Sequence, residues 1–271
     1  MCLLAACARD PAPPPDTATL RLVSTAPNLT ECVFAIGAGD TLVGRTDVCD
    51  HPPAALAIPA SGGFGTPWLE SLLTLRPTHV LETVLADPAI RERLAALGIP
   101  TVHIPCARLA EIPDALRQLG ALTGHTAQAS TLADTIQRGI TAPPPAPGRP
   151  RVLLLFAPDA PITAGRDAFI AELLELAGGI NIGRGSTSDY YNISLEWIIT
   201  QDPDILLCIF ETAGRAPASL FTSQTGWKSL RAVREGRVYT VPDLGSVSRP
   251  GPRVLEGLAQ LKAILTLDAN R

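Results

Sequence analysis

A thirteen-residue segment that occurs twice constrains the fold more than any other feature of this chain. Leu69-Glu70-Ser71-Leu72-Leu73-Thr74-Leu75-Arg76-Pro77-Thr78-His79-Val80-Leu81 returns 126 residues later as Leu195-Glu196-Trp197-Ile198-Ile199-Thr200-Gln201-Asp202-Pro203-Asp204-Ile205-Leu206-Leu207. Leu, Glu, Thr, Pro and the final Leu are identical in register, and three further positions exchange one aliphatic for another. Each copy reads as a short helix stopped by proline, then a buried strand. A supersecondary unit present twice implies two similar lobes. Both glutamates fall in the first turn of their helix, where the positive end of the helix dipole favours a carboxylate by up to about 1 kcal/mol. That accounts for an acid at each position, but not for how closely the two copies agree.

The remaining segments alternate in α/β fashion. Leu20 to Ser24, Leu42 to Thr46 and Thr101 to Ile104 read as strands, with helices at Leu29 to Ile36 and Ala89 to Leu97. Leu109 to Leu122 carries Leu109, Ile112, Leu116 and Leu119 on one helical face. Gly124 interrupts this helix, and Ala127 to Ile140 continues it. A Pro-rich run from Pro143 to Pro147 then opens a second half, with a strand at Val152 to Phe156 and helices at Phe169 to Ala177 and Pro252 to Leu265. Strands alternating with helices predict mostly parallel sheets. The expected organisation is a leader and tether over 1–19, an N-terminal α/β lobe over 20–110, a connecting helical region over 111–142 and a C-terminal α/β lobe over 143–271.

Several function classes are excluded by composition. A formal charge of −4 and the lack of any dense basic run rule against a nucleic-acid partner. No uninterrupted run of eighteen apolar residues exists to span a membrane. The six cysteines form no CxxC pair, so no zinc knuckle or thioredoxin-type site is supported. Cys32 and Cys208 sit in apolar segments as core residues. Cys49 and Cys106 both follow strands, which leaves a disulfide between them open.

Leu3-Leu4-Ala5-Ala6-Cys7, followed by Arg9-Asp10 and Pro11 to Pro15, looks like a bacterial lipobox and its tether. Cys7 is then the lipidated first residue of the mature chain, held at a membrane surface by acyl chains rather than by a spanning helix.

The order of the motifs resembles a known family. Ser24-Thr25-Ala26-Pro27-Asn28-Leu29-Thr30-Glu31 leads to Gly37-Ala38-Gly39-Asp40-Thr41-Leu42-Val43-Gly44, then to Asp50-His51-Pro52-Pro53 and the first Leu-Glu repeat. Leu97-Gly98-Ile99-Pro100, Phe169-Ile170, Leu176-Ala177-Gly178-Gly179, the second repeat and Arg249-Pro250-Gly251-Pro252-Arg253 follow. This resembles the periplasmic binding proteins for cobalamin, iron-siderophores and haem, and the cobalamin-binding type most of all. The resemblance implies two Rossmann-like lobes joined by a rigid helical backbone, with the ligand cleft between them. It implies no enzymatic activity and no resident cofactor, the ligand being a metal complex such as cobalamin. The implied partner is an ABC permease dimer with its cytoplasmic ATPase. In that family each lobe offers one carboxylate to permease arginines, and Glu70 and Glu196 stand at those positions.

Ligand residues follow less directly. His51 replaces the family's aromatic before Pro-Pro, and Phe64 replaces a cleft tryptophan. Asp243 and Arg249 lie in a loop similar to one that contacts the corrin, with a spacing about two residues longer. Phe64, Trp68, Tyr190, Tyr191 and Phe210 offer flat walls for a conjugated macrocycle. A haem reading pairs His51 with Tyr190 or Tyr191 as axial ligands, and an iron-chelate reading draws on Arg184, Arg215 and Arg249. The rival class is a tetrapyrrole metal chelatase. It finds little here, since the four histidines are scattered and no HExxH, GxSxG or phosphate loop is present.

Overall fold

Residues 20–141 and 148–269 are described, in a computed structural model. The N-terminal half contains β1 (Leu22–Ser24), β2 (Leu42–Gly44), the two-residue strands β3 (Gly62–Gly63) and β4 (Thr66–Pro67), β5 (His79–Glu82) and β6 (Thr101–His103). The second half contains β7 (Arg151–Leu155), β8 (Ile162–Ala164), β9 (Ile180–Asn181), β10 (Tyr190–Asn192), β11 (Ile205–Cys208) and β12 (Val238–Thr240). One sheet runs β2-β1-β5-β6 and the other β9-β7-β11-β12, every neighbouring pair being parallel. Strand for strand, the two orders are the same. The resemblance of the repeated segments thus extends to whole lobes. β8 and β10 form a separate antiparallel ribbon, as do β3 and β4.

Helices α1 (Pro27–Ala35), α2 (Leu69–Leu75) and α3 (Ala89–Ala96) belong to the first sheet. α4 (Ile112–Thr123) and α5 (Thr126–Ile140) form the connection. α6 (Phe169–Ala177), α7 (Leu195–Gln201), α8 (Arg231–Arg234), α9 (Leu244–Ser248) and α10 (Val254–Ala269) accompany the second. α1 opens two residues before the expected Leu29, because Pro27 at its first position has its φ preset and no N–H to satisfy. The segment expected as helix from Leu109 begins with a 3-10 turn, Leu109–Glu111, before α4. The closing helix starts at Val254 rather than Pro252 and runs on to Ala269.

The repeat recurs in the backbone. α2 and α7 each have seven residues and each ends on a left-handed non-glycine residue, Arg76 (φ 46°) and Asp202 (φ 39°). Both precede proline, which disfavours a further helical residue there. Thr74 and Thr200 donate their hydroxyls to the Glu70 and Glu196 carbonyls at 3.2 and 2.9 Å.

Strand alternation explains how the lobes are joined. Val152 and Leu154 of β7 face a large core, whereas Leu153 and Leu155 face a smaller outer one. In β1, Leu22 points to the large core and Val23 to a second outer one. The large core is continuous from α1 through α4 and α5 to α6 and α10, so the lobes share one apolar interior. Close-packed interiors resist shear, which makes this joint stiff, as the resemblance implied. α4 and α5 meet as a tight hairpin through Gly124 in the left-handed region (φ +76°). Cys49 and Cys106 are not paired. Both are free thiols, Cys49 against the Thr30 and Thr46 hydroxyls and Cys106 against the Pro250 carbonyl. Cys32 and Cys208 are buried as expected, and burial pushes the Cys208 thiol up to about 12. Cys7 and the Pro143–Pro147 run lie outside the described residues.

Candidate functional site: a cleft between two lobes

Parallel strands end where their loops diverge, and ligands of α/β folds bind beyond those carboxyl ends. Here the ends of both sheets border one cleft. Its deeper cavity, about 430 Å³, is walled by Asn28 after β1, Thr83 and Val84 after β5 and Cys106 after β6. The opposite wall is Phe169, Asp189 and Tyr190 with Ser248 to Pro250. Phe64 and Tyr190, from different lobes, are 52% and 47% exposed and line this same cavity. The Tyr190 ring is braced edge-on by Phe156, with centroids 5.1 Å apart. Burial and the Asp189 carboxylate push its phenol above the usual range. A second cavity of about 620 Å³ lies between the loops after β11 and β12, with Phe210 and Asp243 on one side and Asp50 on the other.

Between these cavities a charge network crosses the lobes. Glu31, only 2% exposed at its side chain, accepts from Arg253 Nε at 2.8 Å and Nη2 at 2.9 Å, and from Arg249 Nη1 at 3.2 Å. Arg249 also grips Asp50, with Nη2 donating to Oδ2 at 3.2 Å. Arg253 in turn binds Asp243, whose other oxygen caps α9 by accepting from Gly245 and Ser246 N–H. Arg249 holds the Asp50 carboxyl below the usual carboxylate range through hydrogen bonding and charge. Beside the network, Asn28 Nδ2 donates to the Cys106 and Pro250 carbonyls, both at 3.0 Å, tying the lobes once more.

The residues expected at the site therefore part ways. Phe64, Tyr190 and Arg249 line the deeper cavity, while Asp243 and Phe210 line the second. Tyr191 alternates to the other side of β10 and donates its hydroxyl to the Gly183 carbonyl at 2.9 Å. His51 lines a neighbouring space of about 360 Å³ with Asp50, Asp243 and both arginines, not the cavity of Tyr190. The arrangement thus gives no His51–tyrosine pair facing one bound iron. Trp68 is half-exposed at the entrance of α2 and lines neither cleft cavity. Glu70 and Glu196 are exposed on α2 and α7 and make no ion pair among the described residues. Asn28, Glu31, Asp50 and Arg253 stand in the sequence motifs without a site role being legible there, and Asp189 stands in none of them. The signal for Glu31 was present, a carboxylate inside the apolar run Leu29 to Phe34, which demands a buried cation.

Two α/β lobes of equal topology, a stiff joint and an aromatic cleft define a solute-binding protein that captures its ligand between lobes. The chain belongs to the periplasmic binding protein family, whose model matches residues 22–244. It is 29% identical over 252 residues to the vitamin B12-binding protein of Pectobacterium carotovorum, covering 91% of this chain and 88% of that one. It is 27% identical to YvrC of Bacillus subtilis, an ABC transporter substrate-binding lipoprotein, covering 89% of this chain and 78% of YvrC. Among solved structures, the periplasmic heme-binding protein RhuT from Roseiflexus sp. RS-1 superposes with a TM-score of 0.81 at 25% identity, over 93% of this chain and all of that one. The vitamin B12-binding protein BtuF of Vibrio cholerae does so at 0.78 and 22%, over 93% and 98%, a likeness of fold. As a member of that family, the chain has a substrate-binding role.

Proposed function

We propose that this protein captures a corrinoid in its interlobe cleft and delivers it to a membrane permease, docking through Glu70 and Glu196 and anchored by lipid on Cys7. One observation carries the choice of ligand. Among the described residues, Arg249 is the only cation lining the two cleft cavities, and Asp50 and Glu31 already neutralise it. An anionic iron chelate finds no free guanidinium there. A large ligand rimmed by neutral amides suits aromatic walls and scattered polar groups. A haem held axially between His51 and Tyr190 finds no such pair, because the two residues line different cavities. The vitamin B12-binding names of several relatives support the same reading. The purified protein, titrated with cobalamin, cobinamide, haem and ferric siderophores while its tryptophan fluorescence is followed, should bind a corrinoid one-to-one at micromolar strength or tighter. Binding of haem or a siderophore without a corrinoid, or of nothing in the panel, overturns the assignment.

A further inference from the structure

The two copies of the repeat share more than their glutamates. Leu73, three residues after Glu70, and Ile199, three residues after Glu196, are both large aliphatics standing in solvent, 55% and 41% exposed. Their inner neighbours Leu72 and Ile198 are fully buried, in the two outer cores. A spacing of three places each aliphatic beside its glutamate on one helical face. The burial pattern along both helices is the same through the following threonine, exposed in each copy. One carboxylate and one exposed aliphatic, on an otherwise polar face, are thus presented once per lobe. An exposed leucine alone needs no explanation. The same unpaired glutamate–aliphatic couple at equivalent positions of two lobes with the same topology does.

Each glutamate lacks an ion pair among the described residues, and its own backbone N–H and Ser194 hold Glu196 below the usual carboxylate range, hence ionised. The matching surface is a cation beside a small apolar notch, present twice. The commonest arrangement that carries one surface twice is a two-fold symmetric dimer. We propose that Leu73 and Ile199 are knobs that seat in apolar notches beside the basic groups of a two-fold permease dimer. They supply the salt-independent part of docking, while Glu70 and Glu196 set register and encounter. This rests on the docking reading above and adds its apolar half. Charged rim contacts govern the on-rate and salt dependence, whereas buried aliphatic area does not respond to salt in that way.

The test uses the full-length protein and its cognate permease–ATPase complex in nanodiscs, with Kd measured at low and high salt. Leu73→Ser with Ile199→Ser should weaken docking at least tenfold at both salt concentrations, since burying one such side chain is worth about that factor or more. Each single variant should contribute a comparable share. Leu73→Met with Ile199→Met should dock as the parent does, and ligand affinity and thermal unfolding should be unchanged in every variant. Docking of the Ser double variant within twofold of the parent overturns the proposal. A loss confined to one lobe overturns its two-fold basis. Glu70→Gln with Glu196→Gln should reduce docking mainly at low salt. If that variant docks normally while the Ser variant fails, the knobs stand and the carboxylate reading falls. If both dock normally, both readings fall.

Discussion

Glu31 and Arg253, 222 residues apart, meet as a two-point ion pair across the lobe boundary, Nε to Oε2 at 2.8 Å and Nη2 to Oε1 at 2.9 Å. Both side chains are largely withdrawn from water. Their geometry satisfies the carboxylate twice, and Arg249 adds a third donor. Together with the shared apolar core, the pair fixes the separation of the two cleft walls.

Glu31→Gln should cost on the order of 3 kcal/mol of stability, because removing one partner of a buried pair strands the other charge. Urea unfolding of parent and variant measures this. A change below about 0.5 kcal/mol places the lobe contact elsewhere.

Acid should loosen the same network through Asp50. Its folded carboxyl is held down by Arg249, so its contribution is complete above the unfolded aspartate value near pH 4. It is lost as pH falls through the lower folded value. Asp50→Asn should flatten the acid limb of the stability–pH profile, with little change in its slope between pH 5 and 7. An unaltered acid limb in this variant rules the contribution out.

Gly120→Ala should destabilise, although alanine in a helix interior is ordinarily favoured by about 1 kcal/mol. A Cβ at residue 120 falls 2.3 Å from Ala129 Cβ and 3.2 Å from the His125 carbonyl oxygen. Forcing α4 away from α5 costs roughly 1–3 kcal/mol. A higher melting temperature for the variant contradicts this packing.

The two neighbouring tyrosines should behave oppositely. Tyr190→Ala, like Phe64→Ala, should weaken corrinoid binding at least tenfold, as each removes a cleft wall. Tyr191→Phe should leave affinity within twofold while costing about 1 kcal/mol of stability from its lost hydrogen bond to Gly183. Equal effects of the two substitutions on affinity contradict the assignment.

Cys7→Ser should release the protein from membrane fractions in cells that express the full gene, because the acyl chains are the anchor in this reading. Retention on membranes after a high-salt wash contradicts lipid anchoring.

The repeated Leu-Glu segments determined by themselves that two equivalent helix–strand units exist, since proline, threonine spacing and aliphatic periodicity act within a few residues. The parallel alternation and the break at Gly124 were legible for the same local reason. Tertiary structure decided the rest. Periodicity says that Tyr190 and Tyr191 face opposite sides of a strand, but only the docking of β10 against β8 puts Tyr190 into the cleft. The position of Cys49 and Cys106 after strands leaves a pairing open, yet packing sends one to threonine hydroxyls and the other to the Pro250 carbonyl. His51 likewise lines a space shared with Arg249 and Arg253 rather than the cavity of Tyr190. Glu31 announces a need for a cation through its apolar neighbours, but not which one. The answer comes from the far end of the chain, because side-chain contacts between lobes depend on how whole sheets are placed, and no local pattern encodes that distance.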